Sequence, residues 1–76
     1  MRIYELAKKI ANFVWDFDPY NARDCYVTFG EAVSETIIGL SSKVQRKGIA
    51  LYLESIIEEN YETEYAKELL KEVNAL

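Results

Sequence analysis

The chain has 76 residues, half of them hydrophobic and 13% aromatic, with nine basic and thirteen acidic side chains and a formal charge of −4. That is the composition of one small globular domain rather than of a disordered segment. It contains no histidine and a single cysteine, Cys25, which excludes Ser-His-Asp and Cys-His catalysis, His/Cys zinc sites and an intrachain disulfide. The longest apolar run is short (49–53), so no membrane span is expected. The N-terminus lacks an apolar signal-peptide core, and with the lone cysteine this points to a cytoplasmic protein.

Taken in chain order, the pattern predicts an all-α, compact four-helix domain occupying residues 1–76, with an aromatic-rich loop between the first and second helices. Ile3, Leu6, Ala7, Ile10, Phe13, Val14 and Phe17 recur at three-and-four spacing, the stripe of an amphipathic helix over residues 2–15. Arg2, Glu5, Lys8, Lys9 and Asn12 fall on its other side. Asp18-Pro19 then ends the helix, because proline disfavours a helical residue before it. A turn-rich loop over residues 16–24 follows. Phe13, Trp15, Phe17, Tyr20, Tyr26 and Phe29 crowd this part of the chain.

Thr28 and Glu31 form a capping box that starts the second helix. Val33, Ile37, Leu40 and Val44 continue an apolar stripe, which predicts one helix over residues 28–47. Lys43, Arg46 and Lys47 would suit its C-terminal turn and Gly48 its C′ position. A competing boundary lies at Gly39-Leu40-Ser41-Ser42, since Ser42 and Gln45 also read as a capping box; the stripe through Val44 favours the single helix. The third helix is expected over 49–59, with Ile49, Leu53, Ile56 and Ile57 inward. The fourth is expected over 63–75, with Tyr65, Leu69, Val73 and Leu76 inward, forming an antiparallel hairpin with the third.

The charge is uneven. Residues 39–53 carry three cations and no acid, whereas residues 54–76 carry seven glutamates against Lys67 and Lys71. Glu54, Glu58, Glu59 and Glu62 cluster at helical spacing on a face expected to be exposed. Such a face keeps a small domain dissolved, and it also fits a basic protein surface. Trp15, Asp16, Asp18, Tyr20 and Asp24 make a second candidate contact patch, because aromatic side chains anchor protein interfaces.

Asp16-Phe17-Asp18 does not continue as a calcium loop: Tyr20, Asn21 and Val27 stand where a ligand, a glycine and a glutamate are required. No metal or cofactor is expected, and Cys25, without a base, reads as a structural thiol. No small-molecule substrate is expected, and the chain is read as a non-enzyme. Gly39-Leu40-Ser41 followed by Val44 partly matches a helix-turn-helix, with Lys43, Gln45, Arg46 and Lys47 as the alternative nucleic-acid contacts. Against it, Glu35 and Lys47 occupy positions that such a motif keeps small or apolar.

The stretch Trp15-Asp16-Phe17-Asp18-Pro19-Tyr20-Asn21-Ala22-Arg23-Asp24, with Glu31-Ala32-Val33, Gly48-Ile49, Tyr52-Leu53-Glu54-Ser55-Ile56-Ile57-Glu58-Glu59-Asn60 and Ala66-Lys67-Glu68-Leu69-Leu70, resembles small accessory proteins of phages and conjugative elements of Firmicutes, the large polyvalent protein-associated domains and their free-standing relatives. The basic segment 42–47 departs from that pattern. The resemblance implies a mobile-element protein and, for a free-standing acidic one, a counter-defence inhibitor such as an anti-CRISPR. Its expected partner is a host defence nuclease or its ribonucleoprotein complex. Leftover apolar surface would also allow a homodimer.

Overall fold

The computed structural model describes residues 2–20 and 28–76. Four helices follow one another: α1 (Arg2–Phe17), α2 (Phe29–Ser41), α3 (Lys43–Glu58) and α4 (Thr63–Asn74). No strand occurs among the described residues. Each helix packs on the next and α4 returns to α1, closing a ring about 27 × 25 × 20 Å across. No described helix is long and apolar enough to cross a membrane.

The stripe of α1 behaves as its spacing predicts. Leu6, Ala7, Ile10 and Phe13 are buried, Ile3, Val14 and Phe17 are half-buried against the same core, and Arg2, Glu5, Lys8, Lys9 and Asn12 face water. The core is completed by Leu40 from α2, Leu53 and Ile56 from α3, and Ala66, Leu69 and Val73 from α4. Burial of each leucine or isoleucine contributes roughly 1.5–3 kcal/mol. A second, smaller cluster joins Ala11 to Ala32 and Val33, where small side chains let α1 and α2 approach closely, and Trp15 covers it. The α1 hydrogen bonding runs one residue past Phe17, with Asp18 N–H donating to Val14 C=O at 2.9 Å. Pro19 and Tyr20 are again helical rather than loop, as suits a proline in a first turn. The remainder of the expected loop, including Asp24, Cys25 and Tyr26, lies outside the described residues.

Thr28 is extended and its Oγ1 accepts from Glu31 N–H at 3.1 Å, as the capping box requires. The single helix over 28–47 is not formed. Ser42 adopts φ −99°, ψ 125°, which is extended backbone, and α2 stops at Ser41. Ser42 Oγ accepts from Gln45 N–H at 3.4 Å and starts α3. A continuous helix of that length would measure about 30 Å. It would outrun the 27 Å domain and leave its far end with no core to bury.

The break at Ser42 reverses several assignments at once. Lys43, Arg46 and Lys47 lie in the first turns of α3, not in the last turn of α2, and Gly48 is a helix-interior residue rather than a cap. Val44, expected inward, is 81% exposed. Leu76 and Tyr65 are also exposed, at 36% and 40%, although the Tyr65 ring still meets Phe13 edge-on.

The turn from α3 to α4 uses two left-handed residues, Asn60 (φ 61°) and Glu62 (φ 43°). Asparagine tolerates that region. Glutamate does not, because its Cβ crowds the following carbonyl at roughly 1–2 kcal/mol. Glu62 also makes no side-chain cap to α4. Glu62→Gly is therefore expected to stabilise the domain by about 0.5–1 kcal/mol and raise Tm by about 4 °C. Glu62→Val should lower it. Paired thermal melts check both signs.

Candidate functional site: an acidic corner and a basic cleft

Helix α3 sorts its charges to its two ends, cations first and glutamates last. At one end the chain leaves α3 and enters α4, and Glu54, Glu58, Glu59 and Glu62 are all exposed there. Glu64 in the first turn of α4 extends the same corner. The backbone explains part of this placement. Carboxylates near the start of α4 face unpaired N–H groups, the favourable end of a helix for anions. The four glutamates chosen from spacing are all exposed, with Glu58, Glu59 and Glu62 beside the turn and Glu54 one helical turn before Glu58.

At the other end Lys43, Arg46 and Lys47 line a shallow cleft with Ala50 of α3 and Val73 and Asn74 of α4. Cations at the start of α3 oppose that helix's own dipole. The last turn of the antiparallel α4, whose carbonyls end the helix, lies across the cleft and offsets the cost. Arg46 also ties two helices together, because its Nε donates to the Leu40 carbonyl at 2.8 Å. That bond satisfies an orphan carbonyl at the end of α2. Arg46 is thus half-buried and structural, whereas Lys43, Gln45 and Lys47 are exposed.

The aromatic patch is divided rather than assembled. Trp15 is half-buried, with its ring edge-on to Phe29 at 6.0 Å, and it belongs to the α1–α2 packing. Phe17 turns the other way, to Tyr61 at 5.0 Å and Tyr52 at 6.5 Å. Asp16 is exposed and Tyr20 is 82% exposed. Asp18 is half-buried. Asp24 lies outside the described residues. Tyr20 is the member of the group best placed to meet a partner.

Among the described residues no polar or charged side chain is buried, and no group of three carboxylates or thiols converges as a metal ion would need. Comparison with protein families, with characterised proteins and with solved structures finds no match.

Proposed function

We propose that this protein is a non-enzymatic binding protein that docks its acidic corner on a basic surface of a larger partner. The observation that carries the reading is the exposure of Glu54, Glu58, Glu59 and Glu62 together around the α3–α4 turn. A concentrated field of one sign speeds encounter with a surface of the opposite sign and rejects like-charged ones. The resemblance to phage and conjugative-element accessory proteins makes the reading more concrete. The partner is then a host defence nuclease or its ribonucleoprotein complex, and the protein is an anti-CRISPR that occupies a basic surface otherwise used for nucleic acid. The charge argument supplies the binding; the resemblance supplies the context.

The test uses tagged protein in lysate from a host with active CRISPR and restriction systems. Retained nucleases are identified and their DNA cleavage is measured with and without the protein. Wild type should retain one effector and inhibit it. Replacing the four glutamates by lysine should abolish both effects, while the thermal midpoint stays within a few degrees because all four side chains are exposed. Retention and inhibition that survive the reversal would sink the acidic-corner reading.

One observation favours a second reading. Because α3 begins at Lys43, its exposed cations stand in the first turns of a helix that follows another helix, where a DNA-recognition helix carries its contacts. A duplex-binding titration with steep salt dependence would support it. The absence of any shift at low salt disposes of it.

A further inference from the structure

We infer that α3 is the seam of a symmetric antiparallel dimer, pairing with α3 of a second copy of this chain. The inference is independent of the inhibitor reading. It begins with apolar side chains that the fold leaves uncovered. Val44 is 81% exposed and Leu51 is 65% exposed on the same helix. Together with Gly48 and Ser55, both exposed, they recur at spacings of four, three and four, which places them in one row along the outer face. The opposite face of α3 carries Leu53 and Ile56 into the core.

Gly48 has no purpose inside the monomer. It sits in the interior of a helix, where glycine costs about 1 kcal/mol relative to alanine. Its φ is not positive. A Cβ built there would meet nothing within 4 Å. A second backbone approaching the row supplies the missing reason. Ser55 is already prepared for such an approach: its hydroxyl donates to Tyr52 C=O at 2.6 Å, folded back on its own helix.

The charges beside the row identify the occupant as a second copy. On one flank α3 carries Lys43 and Lys47 in its first half and Glu54 and Glu58 in its second, all exposed. A helix with this pattern is complementary to itself only when the copy runs antiparallel. A twofold axis between Gly48 and Leu51 sets Val44 opposite Ser55 of the copy and Gly48 opposite Leu51. The same axis brings Lys47 within two residues, about 3 Å along the helix, of Glu54 of the copy and Lys43 equally near its Glu58, a gap that long side chains span, each pair twice by symmetry. Parallel pairing would instead turn this flank away from its own copy, so its lysines and glutamates would not meet. The acidic corners then lie at the two ends of the pair, with Glu59 and Glu62 beyond the seam.

One helix face about 24 Å long gives an interface at the small end of the specific range, so the association is concentration-dependent. Sedimentation equilibrium of the full chain across micromolar to about millimolar concentrations reads it directly. The mass should rise with concentration from 8.8 kDa toward twice that value. Leu51→Glu should hold it at the monomer while leaving the melting midpoint in place, since Leu51 is mostly in water. Lys47→Glu and Glu54→Lys should each weaken association about tenfold, because each sets like charges together at two symmetric places. The double exchange should restore it. A chain that stays monomeric throughout, a dimer that tolerates Leu51→Glu, or a double exchange without rescue each overturns the inference. Glu54 also belongs to the acidic corner, so Leu51→Glu, which leaves all four glutamates in place, is the variant that separates loss of the dimer from loss of nuclease retention.

Discussion

Phe13→Ala is expected to leave the domain largely unfolded at physiological temperature. Phe13 is 3% exposed and stands where α1 meets the end of the α3–α4 hairpin. Its ring lies 5.3 Å from that of Tyr65 and 5.7 Å from that of Tyr61. Truncating a buried phenylalanine typically costs about 3–5 kcal/mol, and each lost ring pair adds to the damage. A single core in so short a chain supplies only roughly 3–5 kcal/mol of net stability. The two magnitudes are equal, so the substitution removes essentially all of it. Far-UV circular dichroism should show most helicity lost before the wild-type midpoint. Phe13→Leu keeps most of the volume and should fold with a lowered midpoint. Phe29→Ala is the contrasting case: that ring is 37% exposed and belongs to the smaller α1–α2 cluster with Trp15, so about 1 kcal/mol is expected. A Phe13→Ala protein that melts like the Phe29→Ala protein would mean that the rings around Tyr61 and Tyr65 are not the centre of the core.

The same contrast shows what the sequence could reveal. The stripe of α1 was legible because seven apolar side chains recur at one period without interruption, and only one packing face can satisfy them. The start of α2 was legible because Thr28 and Glu31 stand at cap spacing. The corner at Ser42 was not, because the row Val33, Ile37, Leu40 and Val44 keeps helical spacing straight across it. Periodicity describes which side chains share a face, and it is blind to whether the axis continues. What ends α2 is local and tertiary together: the extended Ser42 backbone, its hydroxyl on Gln45 N–H, and the Arg46 guanidinium reaching back to Leu40. The Ser42–Gln45 spacing was the one signal in the sequence that pointed to this boundary.

The acidic corner was legible for a different reason. Unpaired glutamates are too costly to bury, so a cluster of them predicts its own exposure. The aromatic patch lacked such a constraint. Tryptophan and tyrosine suit a core and an interface equally well, and spacing did not show that Trp15 would cover Ala11, Ala32 and Val33. Arg46 likewise read as one charge among three, until geometry gave its Nε a carbonyl to satisfy.

Gly39→Leu should be the second most damaging substitution, and a smaller change at the same place tests why. Gly39 is buried where α2 ends against α3. A Cβ placed on it would stand 2.9 Å from Cδ1 of Ile49, closer than two carbons tolerate. A leucine there adds three more carbons to a junction already in contact. Overpacking of this kind costs about 1–3 kcal/mol or more, enough to separate the helices or reopen the Ser42 corner. Alanine sets two effects against each other. It gains up to about 1 kcal/mol of helix propensity over glycine, and it loses whatever Ile49 must give up to move. Ile49→Val removes Cδ1, the atom in the way, at about 0.5–1.5 kcal/mol by itself. In that background Gly39→Ala should become stabilising, whereas in the wild type it should be neutral or destabilising. Chemical denaturation of the four proteins measures the coupling. A value near zero would mean that Ile49 turns its Cδ1 aside at no cost, and that Gly39 does not set the angle at which α3 carries its charged flank past the ring.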